Sequence, residues 1–259
     1  MEAKLEVSVV SPVFNERENL KTFVDSVAKV MRSTGMSWEL IIVDDGSDDG
    51  STDAIKELIN QENTRCLLLS KNYGQTTAIQ AGFDNALGKY FVTLDSDLQN
   101  DPKDIPALLD KLIKEELDLV VGWRKDRKDN YFLRNLPSSI ANKLIGNITG
   151  VKLHDYGCSL KAYRADVLKE VRLYGEMHRF IPAWMATKIP ASKISELVVT
   201  HHPRIAGKSK YGISRTFRVF VDLISVYFFM RFFSRPGHFF GLIGLLLSSI
   251  GSLILIYLV

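Results

Sequence analysis

The chain has 259 residues, 46% of them hydrophobic and 24% charged, which excludes disordered, collagen-like and low-complexity classes. Its two cysteines, Cys66 and Cys158, exclude a disulfide scaffold and a four-cysteine zinc site. A net charge of +3 is too small to argue for nucleic acid. The charge is unevenly placed, however. Residues 201–235 carry seven Lys/Arg against one acid, residues 1–200 carry 26 against 29, and residues 236–259 carry none. A basic segment abutting an uncharged stretch points to a membrane surface with anionic lipid.

In chain order, the N-terminal residues lack the long apolar run of a signal peptide. Short β-branched runs at 7–10, 39–43, 66–69, 90–94 and 117–121 predict strands, and 16–33, 51–61, 75–87 and 102–116 predict helices. Pro102 suits a helix start. The strands are nearly continuous in apolar residues, as in a parallel sheet covered by helices on both faces. Repeated βα units predict an open α/β sheet, whose ligands bind beyond the C-terminal ends of the strands. Polar clusters follow each predicted strand there: Ser11–Glu16, Asp44–Ser51, Ser70–Gly74, Asp95–Pro102 and Gly122–Arg124.

Over Tyr211–Phe233, Phe217, Phe220, Val221, Ile224 and Phe228 follow helical spacing, with Arg215, Arg218 and Asp222 largely opposite. This predicts an amphipathic helix in the membrane interface; a helix packed on the soluble domain is the alternative. Pro236–Val259 is an uncharged run of 24 residues. As a helix it reaches roughly 36 Å, enough for a hydrocarbon core of about 30 Å. It predicts a transmembrane helix, against the alternative of a buried core helix. Arg231 and Arg235 flank its start and no Lys or Arg follows, which puts the rest of the chain on the cytoplasmic side of the inner membrane. The expected partition is a catalytic domain over 1–210, a juxtamembrane segment over 211–235 and a span over 236–259, with the sequence stopping inside the apolar run.

Asp95 and Asp97 flank a single residue after the fourth strand, so both carboxylates project to one rim. Crowded acids repel, and a hard divalent cation is the usual relief. Asp44 and Asp45 sit where carboxylates accept hydrogen bonds from a base or ribose. Neither a GxGxxG fingerprint, a GxxxxGK[ST] loop nor an HExxH pair is present, against dinucleotide dehydrogenases, P-loop NTPases and zincins. His154, His201 and His202 are weak metal signals, and no nucleic-acid-binding module appears.

The motifs Val9–Glu16, Val43–Ser47, Asn72–Gln75 and Thr93–Gln99 resemble the nucleotide-sugar domain of inverting, GT-A fold family 2 glycosyltransferases. Asp155–Arg164 and Arg204–Tyr211 resemble the polyprenyl-phosphate branch of that family, and no QxxRW motif of processive polysaccharide synthases is found. The resemblance implies transfer of a sugar, from a UDP-sugar donor, to undecaprenyl phosphate. It implies Mg2+ or Mn2+ held by Asp95, Asp97 and Gln99, with Asp97 catalytic. Pro12, Glu16, Asp44 and Asp45 would line the nucleoside pocket with Lys71 nearby, and Arg204 and Lys210 would close over the phosphates. Arg124, Arg134 and Ser138 would hold the acceptor phosphate; Asp155 would hydrogen-bond sugar hydroxyls or act as a base. Met177–Phe180 would border the sugar pocket. The branch usually carries two C-terminal membrane helices, and one is present here. Two alternatives stay open: a dolichyl-phosphate mannose synthase using GDP-mannose, or a non-catalytic membrane adaptor. A homo-oligomer is also compatible with the family.

Overall fold

A computed structural model of the chain describes residues 5–59, 63–125, 145–146, 150–173, 175–203, 225, 227–228, 232 and 235–258. The chain divides into two compact units at residue 211. In the first, β1 (Val7–Val13), α1 (Arg17–Thr34), β2 (Trp38–Asp44), α2 (Ser51–Leu58), β3 (Thr64–Leu68), α3 (Gln75–Asn85) and β4 (Tyr90–Thr93) follow one another as predicted. A 3₁₀ turn at Pro102–Asp104 leads into α4 (Ile105–Lys114), followed by β5 (Leu119–Trp123). Asp101 caps that turn, its carboxylate accepting from the Lys103 N–H at 3.0 Å.

Beyond β5 come β6 (Lys161–Arg164), α5 (Ala165–Leu168), α6 (Ile181–Met185) and β7 (Ile194–Val198). The strand order is β3-β2-β1-β4-β6-β5-β7. Strands β1 to β4 are parallel, and β5 pairs in parallel with β7. Only β6 is reversed: it runs antiparallel to both β4 and β5. The open α/β sheet expected from the βα repeats is thus present, with one reversed strand that makes it mixed. Lys-Ala-Tyr-Arg has no apolar run to betray β6, because Lys161 is buried there by its partners rather than by its own hydrophobicity.

The pleat sorts the core into two layers. Val7, Val9, Leu40 and Ile42 meet the apolar stripe of α1 (Leu20, Phe23, Val24, Val27, Met31) and of α4 (Leu108, Leu109, Leu112), all in one buried cluster. Val10 and Val43, on alternate positions, meet α3 at Gly82, where a Cβ would sit 2.3 Å from Val10 Cγ1 and 3.3 Å from Val43 Cγ2. A glycine in a helix interior normally weakens it; here it lets the helix lie against two stiff β-branched side chains.

The second unit holds α7 (Pro236–Leu258), 23 residues with no buried position and long and apolar enough to cross a membrane. Phe228 packs against Phe239 and Phe240 at ring-centroid distances of 5.1 and 5.4 Å. Most of the stretch expected to be amphipathic, 211–235, lies outside the described residues.

Gly82→Ala tests the close approach. The usual helix gain is outweighed by overpacking, with a net loss of about 1–2 kcal/mol. The expected reading is a melting temperature several degrees lower; an unchanged or raised one would show that α3 can shift.

Candidate active site

Because only β6 is reversed, the C-terminal ends of the other six strands share one edge of the sheet, and the start of β6 returns to that same edge. The register pairs Thr93 with Lys161, so two residues further on Ser159 lies opposite Asp95. The Thr93 hydroxyl donates to the Ser159 carbonyl at 2.6 Å, which ties the two segments together.

Asp95 and Asp97 follow β4 in a tight loop, with Leu98 in the left-handed region at φ 59°. That turn aims the Gln99 N–H at Asp97 Oδ1, 3.1 Å away. The chain after β7 docks on the same loop: the His202 N–H donates to the Gln99 carbonyl at 2.7 Å, and His201 bridges to Asn100. Asp95 Oδ1 accepts from Gln75 Nε2 at 2.9 Å, and Ser159 lies opposite this residue across the β4–β6 register, where it favours the charged carboxylate. Burial pushes the Asp95 carboxyl well above the ordinary carboxylate range, and the neighbouring Asp97 charge pushes it further. Lys161, buried at 2% exposure, opposes this, its ammonium donating to the Cys158 carbonyl. Burial in turn lowers the Lys161 pKa.

This donor set suits a hard divalent ion. Two carboxylates, with the expected Gln99 side-chain amide, would offer only oxygen atoms, and no group of three or more His, Cys, Asp or Glu that could hold a metal occurs among the described residues. Mg2+-type ions are commonly held by one or two carboxylates and completed by substrate phosphate oxygens, which matches an incomplete set.

The acids after β2 are arranged differently. Asp44, 1% exposed, accepts from the Ser47 N–H (3.1 Å), the Ser47 hydroxyl (2.6 Å) and the Thr52 hydroxyl (2.5 Å). These bonds hold its own loop, at the edge where the nucleoside pocket is expected. Asp45 accepts from the N–H groups of Tyr73 (2.7 Å) and Gly74 (2.9 Å), fixing the entry to α3 and hence Gln75. Glu16 accepts from Asn19 Nδ2 at 2.7 Å, and its N–H donates to Ser51. Pro12 lies near the end of β1, where its carbonyl accepts from the Ser96 hydroxyl at 3.5 Å. Lys71 is exposed, its ammonium 5.2 Å from the centroid of the Tyr73 ring.

Arg124 and Asp155 meet face to face after β5. Nε reaches Oδ2 at 2.7 Å and Nη2 reaches Oδ1 at 3.0 Å, with Gly157 N–H adding a bond to Oδ1 at 3.1 Å. Both side chains are nearly buried, at 12% and 13% exposure. Burial alone would lower the Arg124 pKa; the hydrogen bonds to Asp155 override it and raise it, so the guanidinium stays charged. One residue back on each segment, Trp123 stacks on His154 at 4.0 Å, and Glu196 accepts from the His154 backbone and pairs with its ring. Gly122 lets β5 lie close to the segment entering β6: a Cβ there would meet the Leu160 carbonyl at 2.9 Å and Cys158 Sγ at 3.0 Å. His178 is half-buried with its Nδ1 2.6 Å from the Thr76 hydroxyl, and desolvation first, then Arg179 and Lys161, lower its pKa to about 3. It is therefore a neutral ring. Arg134, Ser138, Arg204 and Lys210 lie outside the described residues.

Sequence reasoning missed Gln75, Asn100, Ser159 and Lys161 as site residues. Gln75 ends the Asn-Tyr-Gly-Gln motif, which was a pointer to it. Nothing in the spacing brings Ser159 to Asp95 before β6 is known.

Residues 8–172 match the family described as "Glycosyl transferase family 2". The dodecaprenyl-phosphate galacturonate synthase of Rhizobium johnstonii is 57% identical over 256 residues, 98% of this chain and 76% of that protein. The undecaprenyl-phosphate 4-deoxy-4-formamido-L-arabinose transferase of Aeromonas hydrophila is 36% identical over 247 residues, 95% of this chain and 73% of that one. A crystal structure of glucosyl-3-phosphoglycerate synthase from Mycobacterium tuberculosis, in complex with Mn2+, UDP-glucose and phosphoglyceric acid, has a TM-score of 0.65 at 18% identity. That match covers 87% of this chain and 79% of that one. At that identity it speaks for a shared fold.

A double-mutant cycle tests the Arg124–Asp155 pair. Arg124→Met or Asp155→Leu alone strands a buried charge and should cost about 3–5 kcal/mol; the double replacement should cost far less than the two losses together. Urea unfolding in detergent reads this, and simple additivity would mean that the pair is not coupled.

Proposed function

The chain belongs to glycosyl transferase family 2, and on that premise we propose that it moves a sugar from a nucleoside-diphosphate donor, a UDP-sugar, to a polyprenyl phosphate. The observation that carries this reading is the pair Asp95–Asp97 at the shared strand edge, in a chain similar along nearly its whole length to polyprenyl-phosphate transferases. Galacturonate is the sugar favoured by the 57% identity.

Asp95, Asp97 and Gln99 would hold Mg2+ or Mn2+. When bound, the ion neutralises charge developing on the departing nucleoside diphosphate. Asp45 keeps the Tyr73–Gly74 turn in place, and Glu16 and Pro12 border the nucleoside with Lys71 at its rim. The acceptor needs no protein base. A phosphate monoester has a second pKa near 6 and is mostly dianionic at pH 7. One of its oxygens bonds the anomeric carbon while the bond from that carbon to the diphosphate oxygen breaks, its electron pair leaving with the nucleotide. No proton has to move. Asp155, with both oxygens engaged, acts by holding the plane of Arg124, whose Nη1 is not among the atoms bonded to it and is left to face the acceptor phosphate. Arg134 and Ser138 complete that cradle, and Arg204 and Lys210 screen the phosphates.

The working partition is a catalytic domain over 1–210, a juxtamembrane segment over 211–235 and a span over 236–259, anchoring the enzyme to the inner membrane with its site facing the cytoplasm. This puts the site where a lipid-borne phosphate can reach it.

Purified full-length protein with undecaprenyl phosphate and UDP-galacturonate, UDP-glucose or GDP-mannose separately tests the reading, with mass spectrometry of the lipid product. The expected result is a galacturonate-bearing polyprenyl phosphate. A product from GDP-mannose alone would favour a mannose synthase, and no lipid product from any donor would overturn the proposal. Asp97→Ala should lower turnover by at least ~10³-fold, on the scale of losing a principal electrostatic group. EDTA should abolish turnover and excess Mn2+ restore it; full activity in EDTA would remove the metal from the account.

A further inference from the structure

Asp95 is met from two sides by donors belonging to elements far apart in the chain. Gln75, the first residue of α3, donates its Nε2 to Oδ1 at 2.9 Å, and its place is set by the Asp45 bonds to Tyr73 and Gly74 just before it. Ser159 approaches from the strand side, opposite Asp95 in the β4–β6 register.

The direction in which the Ser159 hydroxyl proton points follows from its neighbours. The Cys158 thiol donates to Asn100 Oδ1 at 3.6 Å, and Asn100 Nδ2 donates to Ser159 Oγ at 2.9 Å. Cys158 is fully buried, which pushes its thiol up to about 11 and keeps it a donor. With Asn100 supplying a proton to its oxygen, the Ser159 hydroxyl directs its own proton to the one partner that can only accept, the Asp95 carboxylate. The result is a one-way chain of bonds from Cys158 to Asn100 to Ser159, which leaves the Ser159 proton for the Asp95 side. Asn100 is itself 3% exposed, so bulk water does not compete for it.

We propose that Gln75 and Ser159 are positioning residues that fix the Asp95 carboxylate for cation binding, Ser159 acting at the end of the relay from Cys158 and Asn100. The inference rests on the assignment of Asp95 and Asp97 as metal ligands. Outer residues of this kind orient a ligand and change metal affinity by about 10–100-fold when removed. They also limit how far Asp95 can turn from Asp97 when no ion is present, so the site is formed before the nucleotide arrives.

The test measures Mn2+ affinity directly by electron paramagnetic resonance on the full chain in detergent, with and without UDP. Melting temperature serves as the check on folding. Ser159→Ala and Gln75→Met should each weaken Mn2+ binding by about 10–100-fold, whereas Ser159→Thr, which keeps the hydroxyl, should stay near wild type. Two variants on different elements keep the test decisive if one fails to fold. If wild type binds Mn2+, Asp97→Ala loses it, and both folded variants bind like wild type, the positioning role is overturned while the metal site stands. If wild type itself shows no saturable Mn2+ signal, the metal assignment falls and this inference with it.

Discussion

The mutual repulsion of Asp95 and Asp97 is the constraint around which the rest of the edge is arranged. Two carboxylates brought out of water beside each other favour turning apart or taking up a proton. The surrounding structure resists both outcomes. Gln75 grips Asp95, the backbone of Gln99 grips Asp97, and a buried lysine one strand away supplies compensating charge. Such an arrangement holds the acids in a conformation that is unfavourable alone and favourable with a cation, at a cost in stability that functional sites commonly carry.

The other charged residues divide by what they face. Asp44 and Asp45 are turned inward and spend their oxygens on loop N–H and hydroxyl groups, so they shape the walls. Arg124 and Asp155 form a nearly buried bidentate pair, flanked by the Trp123–His154 stack. That double contact between residues 123–124 and 154–155 anchors the start of the segment that ends at Ser159. The Arg124–Asp155 pair and the acidic loop are therefore joined by five residues of chain with both ends tied. His178, held neutral by burial, contributes a hydrogen bond to Thr76 without adding charge to an already crowded rim.

The first half of the fold is legible in the sequence because each βα unit there is local. Apolar runs give β1 to β5 within a few residues, and the polar residues that follow them mark the edge. Asp95 and Asp97 could be found because a strand end and two acids spaced by one are visible in a short window. What the sequence hides is non-local. The strand β6 has two basic residues in four, and only its neighbours make it a strand; with it go Lys161 and Ser159. Likewise the position of Asp44 after β2 does not tell that hydroxyls three and eight residues later bond its carboxylate. Family resemblance marked the Asp155–Arg164 segment without revealing that it reverses direction.

The placement of β6 also bears on how the chain is made. β4 ends at residue 93, yet its partner on that side spans residues 161–164, and β5 can join the sheet only through it. A ribosome adding about 5–20 residues per second leaves the nascent parallel half with an unpaired strand for several seconds. Such an edge invites pairing with other chains until it is covered. Completion of the catalytic edge and protection against aggregation during translation are thus the same event, the arrival of one four-residue strand.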